Sequence, residues 1–396
     1  MTLRGVLRGA GAICALTIAS AACGGGCGGD AKSTANAIVR SPARSTTTVA
    51  SSAPASPAAT SRPGVRDIYA ADRPNALSPV VAHDPSLIYV PNSLSNSVDV
   101  IDPATARIVE HFAVGVLPQH VVPAWDLETL YVTNDRSNTL TPIDPRTGRP
   151  GPTIPVDDPY NMYFTPDGRY AIVVAERLER LDFRDPHTFK LITSVHVDCL
   201  GIDHIDFSAD GRYLIASCEF SAKVLELDLV NRRVAGTIVL NGGNAMPQDV
   251  KLDPTGRVFY VADNARGGVY TINGASLTVT GFIPTGAGAH GLYVSRDSKF
   301  LYVTNRKAGT ISLLDFATNT VAKTWVIPGG GSPDMGGISA DGKVFWVTGR
   351  YNGVVYAIDT ATGALLHRIR VGSGPHGLAV FPQPGRHSLG HTGVYR

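Results

Sequence analysis

The six residues Phe300-Leu301-Tyr302-Val303-Thr304-Asn305 carry bulk on both faces of a two-residue alternation, with Phe300, Tyr302 and Thr304 opposite Leu301 and Val303. Neither face reads as solvated, so this strand is expected to be covered on both sides. Turn formers bound it, Ser295 to Lys299 before and Arg306 to Gly309 after. The pattern recurs around Tyr89, Tyr131, Ile172, Ile215, Tyr260, Tyr302 and Trp346, at intervals of 41 to 45 residues. A second marker follows about a dozen residues later: Asp102, Asp144, Asp182, Asp228, Asn273, Asp315 and Asp359. A short polar side chain at that point bonds the backbone ahead and starts a turn. Seven periods of roughly 43 residues, without helical periodicity, have the length of propeller repeats.

The pattern predicts an all-β chain, a seven-bladed β-propeller of four-stranded blades. Each repeat has room for an inner strand a, the Tyr-Val strand b, a strand c ending at the Asp marker and an outer strand d, as in Ala322 to Ile327. One such sheet cannot bury both faces; seven stacked radially can. The repeats span about Ser78 to Gly372, and Gly374 to Phe381 reads as one more strand a. It either pairs with the Asp67 to Ala70 region to close the ring, or the two ends build a partial eighth blade. Seven blades is the expectation taken here.

Composition adds little to the fold. It is 43% hydrophobic and 17% charged, an ordinary globular balance, and the formal net charge of +2 gives no reason to expect nucleic acid as a partner. The N-terminus changes the picture more. Residues 1–22 combine Arg4 and Arg8 with a short apolar run from Ala10 to Ala19, which fits a secretory signal and is short for a spanning helix. Ser20-Ala21-Ala22 before Cys23 resembles the lipobox of bacterial lipoproteins, with serine where that motif usually has leucine. The resemblance implies acylation at Cys23, hence a membrane partner through a lipid anchor and a location facing the periplasm or cell exterior. Residues 23–63 are Gly, Ser, Thr, Ala and Pro with scattered charges, a composition that cannot offset the cost of ordering. As a flexible coil such a tether spans about 35 Å. The propeller is assigned to 64–396.

Tyr131-Val132-Thr133-Asn134, its six variants, and His-Gly before strand a at 290–291 and 376–377 resemble the YVTN-family β-propellers, relatives of the propellers in quinoprotein amine dehydrogenases. The likeness covers about 78–381. It implies the fold and leaves the activity open, since that family includes surface and adhesion proteins, lactonases and electron-transfer subunits. Two function classes follow: a binding or interaction module taking a protein, glycan or small molecule at one mouth of the ring, and a lactonase-like hydrolase or dehydrogenase-like enzyme using a polar or metal site there. Gly286 to Gly291 and Gly372 to Gly377 match G-x-G-x-x-G but lead from strand to strand, without the helix N-terminus a dinucleotide requires. No C-x-x-C-H for covalent haem is present, nor H-E-x-x-H or G-x-S-x-G.

The starts of strand a supply the candidate chemistry. One aligned position holds Gln119, Tyr160, Asp203, Gln248, His290, Asp334 and His376, and the next holds His120, Asn161, His204, Asp249, Gly291, Met335 and Gly377. Strand a is innermost in a propeller, so His120, Asp203, His204, Asp249, His290, Asp334 and His376 are expected around one mouth, as ligands of a metal or a polar substrate. A competing reading makes Pro-His-Gly a strand-starting element whose histidines only bond backbone. Cys199 precedes strand a of the fourth repeat and Cys218 ends its strand b, ends that antiparallel pairing brings together, so a disulfide between them is expected in an oxidising compartment. The other reading is two separate buried thiols.

The lipobox resemblance generates a fractionation result. The wild-type chain is expected with membranes, and Cys23→Ala is expected to release or misprocess it. Secretion of the wild type with an unmodified N-terminus would contradict the lipoprotein reading.

Overall fold

The computed structural model describes residues 67–385 and 392–394; the expected signal, Cys23 and the linker lie outside them. The described strands form seven sheets, and among the described residues there is no α-helix, only short 3-10 turns. Each blade is an antiparallel meander built on a Tyr-Val strand b. In blade 6, Ala289–Val294, Phe300–Asn305, Thr310–Asp315 and Thr320–Val326 are strands a to d. Leu130–Asn134 and Ala171–Ala175, the b strands of blades 2 and 3, are buried along their whole length. The outer strand of blade 4, Arg233–Val239, alternates exposed and half-buried residues, as an edge facing water should.

Apolar contact runs between blades. Tyr293, Tyr302 and Ile311 of blade 6 pack with Ile338, Phe345, Val347 and Tyr356 of blade 7. Trp346, Val355 and Ala357 of blade 7 pack in turn on Ile88, Val90 and Ile101 of blade 1. Each fully buried aliphatic side chain of this kind contributes about 1.5–3 kcal/mol, and none would be buried in an isolated blade.

Closure is made by the C-terminal strand, but not with the expected partner. Ala379–Phe381 pairs antiparallel with Leu87–Tyr89 and becomes strand a of blade 1, ahead of Ser97–Asp102 and Arg107–Ala113. The ring therefore has seven blades, the first completed from the far end of the sequence. Asp67 to Ala70 instead lies against blade 5, where Ile68 N donates to Pro254 O at 3.0 Å and the Tyr69 hydroxyl to Leu252 O at 2.7 Å. Residues 79–83 form turns and among the described residues no strand precedes Leu87, so the first repeat contains no strand a of its own.

In blades 2, 4, 5, 6 and 7 strand a starts with an irregularity in its pairing to strand b, for example between Pro118 and Val121 and between Ala289 and Leu292. The threonine of the repeat motif serves that bulge. Thr133 and Thr304 accept from the N–H groups of His120 and Gly291 at 3.1 and 2.8 Å, and Ser217 and Thr348 do so for His204 and Met335. The asparagine ties the b–c turn: Asn134 Nδ2 donates to Thr139 and Thr141, and Asn305 Nδ2 to Thr310 and Ser312. Blade 4 has Cys218 in place of that asparagine, and it is joined to Cys199 by a disulfide with a Cα–Cα distance of 5.2 Å. Closing a loop of this length stabilises the fold by about 3 kcal/mol in the chain-entropy account.

The turn marker holds in six blades. The carboxylates of Asp102, Asp144, Asp228, Asp315 and Asp359, and the amide oxygen of Asn273, accept a backbone N–H two residues ahead. In blade 3 the capping residue is Asp185, which accepts from His187 N and Thr188 N. Asp182 is buried, paired with Arg180 and Arg184, and accepts from Ser194. Outer strand d of blade 2 is broken into Arg149–Pro150 and Ile154–Pro155, where prolines lack the N–H a continuous ladder needs.

Candidate functional site

Strand b ends, and strand a begins, at the same mouth of the ring. The residue after strand b is Ser93, Asp135, Glu176, Glu219, Asn264, Arg306 and Arg350 in blades 1 to 7. Asp135, Glu176, Glu219, Arg306 and Arg350 line a cavity of about 560 Å³, together with Gln119, Tyr160, Gln248, His290 and His376 from the strand-a starts. Blades 2 to 4 bring carboxyls together with Arg136 and Arg177, which pair with Asp135 and Asp158, whereas blades 6 and 7 bring guanidinium groups and no lining carboxyl.

The cationic wall is organised by Asp334, which is fully buried. Its Oδ1 lies 2.6 Å from an Arg306 terminal nitrogen and 3.3 Å from His290 Nδ1. Its Oδ2 lies 2.7 Å from His376 Nδ1 and 3.7 Å from Arg350. Burial alone would raise this carboxyl, but Arg306, then His290 and Arg350, more than reverse it and hold it below the usual carboxylate range. Burial, followed by Arg306, pushes His290 well below its ordinary value, so its ring is neutral at pH 7. Two guanidinium charges against one carboxylate leave this wall net positive.

The opposite wall holds carboxyls that resist ionisation. Burial, then the neighbouring Asp203 and Glu219, push Glu176 up to about 8. Burial and Asp203 push Glu219 up to about 7 against the pull of Gln248 and Arg306. Asp135 rises to about 6 through burial and the hydrogen bond it shares with Asp158, despite Arg177. At neutral pH Glu176 is largely protonated and can donate a hydrogen bond as well as accept one.

The residues singled out in the sequence divide into three groups. His290 and His376 reach the cavity, with Asp334 directly behind them. His120 and His204 lie buried in a layer with those two: ring centroids are 5.4 Å apart for His120 and His204, 4.9 Å for His120 and His376, and 6.4 Å for His204 and His290. Asp203 Oδ1 is 2.7 Å from His204 Nδ1. Burial pulls His204 down, and the Asp203 carboxylate with Asp249 more than offsets it, so its value is raised. Asp249 stands apart, clamping blade 5 to blade 6 by accepting from Leu292 N at 2.8 Å and from Val250 N at 2.9 Å. Among the described residues no three His, Cys, Asp or Glu side chains converge in a set that could hold a metal ion. The charged residues after strand b were missed in the sequence, although the repeat alignment places them in one column.

The YNCE-like β-propeller family matches residues 63–386, over four-fifths of the chain. The chain belongs to that family. No curated protein matches it in sequence. Among solved structures, hydrazine synthase of Kuenenia stuttgartiensis superposes with a TM-score of 0.61 at 21% identity, covering 74% of this chain and 97% of that one. A periplasmic gluconolactonase of Pseudomonas aeruginosa gives 0.61 at 20% identity, with 76% and 99% covered. A putative 6-phosphogluconolactonase of Bacteroides uniformis gives 0.60 at 18%, with 74% and 99% covered. At these identities the likeness is one of fold, and the chemistry of this YNCE-like propeller lies in the residues of its own mouth.

Asp334→Asn tests the cationic wall. It leaves the Arg306 and Arg350 charges without their buried partner, so urea unfolding at pH 7 is expected to show a loss of about 3–5 kcal/mol. Because the folded-state value of Asp334 is depressed, its contribution is present above about pH 4 and lost as pH falls through the folded value. The gap between wild type and variant should therefore narrow below about pH 4. Equal stability at pH 7 would contradict the assignment.

Proposed function

We propose that this YNCE-like propeller is an exported, lipid-anchored module that binds a small organic acid at the charged mouth of its ring. The observation that carries the reading is the pair Arg306 and Arg350, both held on the buried Asp334 and both lining the cavity. Preorganised guanidinium groups suit a carboxylate, which can accept hydrogen bonds from both. Glu176, Glu219, Gln119, Gln248 and Tyr160 across the cavity offer donors and acceptors to hydroxyl groups on the same ligand. The Cys199–Cys218 disulfide supports export to an oxidising compartment.

Hydrolysis of a lactone or ester is the second reading, favoured by the Asp334–His376 pair. The carboxylate at 2.7 Å from Nδ1 orients an imidazole whose ring lines the cavity, the arrangement a general base requires. Water adding to the carbonyl would lose a proton to that ring, Arg306 and Arg350 would stabilise the oxyanion, and as the ester C–O bond breaks the ring would return the proton to the departing alkoxide oxygen, leaving a hydroxy acid. Gluconolactonases among the proteins of similar fold support this reading.

Titration calorimetry of the purified full chain with gluconate, beside a lactonase assay on δ-gluconolactone, separates the two. Binding is expected, with Arg350→Gln weakening it about tenfold or more, the loss of a hydrogen bond to a charged group. Turnover that disappears in His376→Gln would decide for hydrolysis. The absence of both carboxylate binding at millimolar concentration and turnover would overturn the reading.

A further inference from the structure

We infer that the acid taken by this mouth carries an apolar body that lies on a fixed platform formed by Leu200 and Phe220. The inference rests on the organic-acid reading and names the other half of the ligand. Leu200 and Phe220 line the cavity, yet they are 52% and 60% exposed. Large apolar side chains left open to water beside a polar cavity mark a contact surface. Leu117, just ahead of strand a in blade 2, lines the same cavity.

This wall is built to hold its shape. Glu219 N donates to Gly201 O at 2.7 Å and Phe220 N to Leu200 O at 3.0 Å, so the b–c turn of blade 4 is stitched to the loop entering its strand a. The Cys199–Cys218 disulfide ties the same two segments one residue away on each side. Gly201 has φ +67° and no side chain, and a Cβ there would meet the Phe220 ring at 2.5 Å. The ring can take this position only over glycine. Backbone bonds, a covalent link and a glycine thus converge on presenting two apolar side chains to solvent, at a cost that an occupant would offset.

The chemistry of the occupant follows from what faces the platform. Of the four arginines lining the cavity, Arg136 and Arg177 are paired with Asp135 and Asp158, whereas Arg306 and Arg350, on blades 6 and 7, share the single carboxylate of Asp334; the platform lies across the ring on blade 4. A ligand touching both is a monocarboxylate whose acyl or aryl body extends away from its charged end. A purely polyhydroxylated acid would leave Leu200 and Phe220 uncovered.

The test is a series of straight-chain carboxylates from acetate to octanoate, titrated into the full chain by calorimetry. Once the chain reaches the platform, each added methylene is expected to tighten binding about fourfold, the factor given by the burial of one CH₂. Phe220→Ser and Leu200→Ser, both at exposed positions, are expected to flatten that dependence and leave acetate unaffected. Arg350→Gln is expected to weaken the whole series equally. Measurable binding that is independent of chain length, or a slope unchanged in Phe220→Ser, overturns this inference and leaves the organic-acid reading standing. Absence of binding at every length overturns both. Self-association of the wild type that is lost in Phe220→Ser would give the platform to a second copy and overturn the inference as well.

Discussion

A four-stranded sheet with two apolar faces is stable only when both are covered, and in this chain the covering layer for each blade is the next blade. Burial therefore depends on the ring being closed. Leu87–Tyr89 would be left as an open inner edge without Ala379–Phe381 beside it, and the packing of Trp346 and Val355 on Ile88 and Val90 depends on that register. Because the closing strand comes from the far end of the sequence, blade 1 cannot form fully until that strand is in place. The contacts concerned are among the most distant in the chain, and such topologies are slow to assemble.

The same constraint positions the mouth. Strand a starts with a bulge in five of the blades, and in four of them Thr133, Ser217, Thr304 and Thr348 compensate it by accepting the N–H groups it displaces. Once the ends of strands b and the starts of strands a share one face, residues spread over more than 250 positions converge. Asp334 shows the consequence: it is buried at the start of strand a in blade 7, and it collects Arg306 from blade 6, Arg350 from its own blade and His376 from the closing segment. A single carboxylate thereby joins the ring's closure to the charge of its mouth.

The repeat was legible in the sequence because strand b is constrained on both faces, which leaves few residue types able to occupy it. The Asp marker was legible where it caps a turn, and misread in blade 3, since Leu181-Asp182 imitates the pattern of Ile101-Asp102 while Asp185 makes the bonds. The partner of the closing strand was not legible, because strand pairing across nearly 300 residues leaves no local trace. Of the site, His290, His376 and Asp334 could be found from the alignment of strand-a starts. Asp249 looks the same in that alignment, but its oxygens are spent on backbone N–H groups of Val250 and Leu292. The charges after strand b went unread because a polar residue there is also what any b–c turn requires.

The central claim is that a carboxylate occupies the wall made by Arg306 and Arg350 over Asp334. A crystal soaked in 3-bromopropionate and measured at the bromine absorption edge tests it most directly. The account predicts an anomalous peak within the mouth, with the carboxylate facing those two guanidinium groups and the bromine directed toward Phe220. A saturating soak that leaves the mouth without a peak, or places the carboxylate against Glu176 and Glu219, would contradict it.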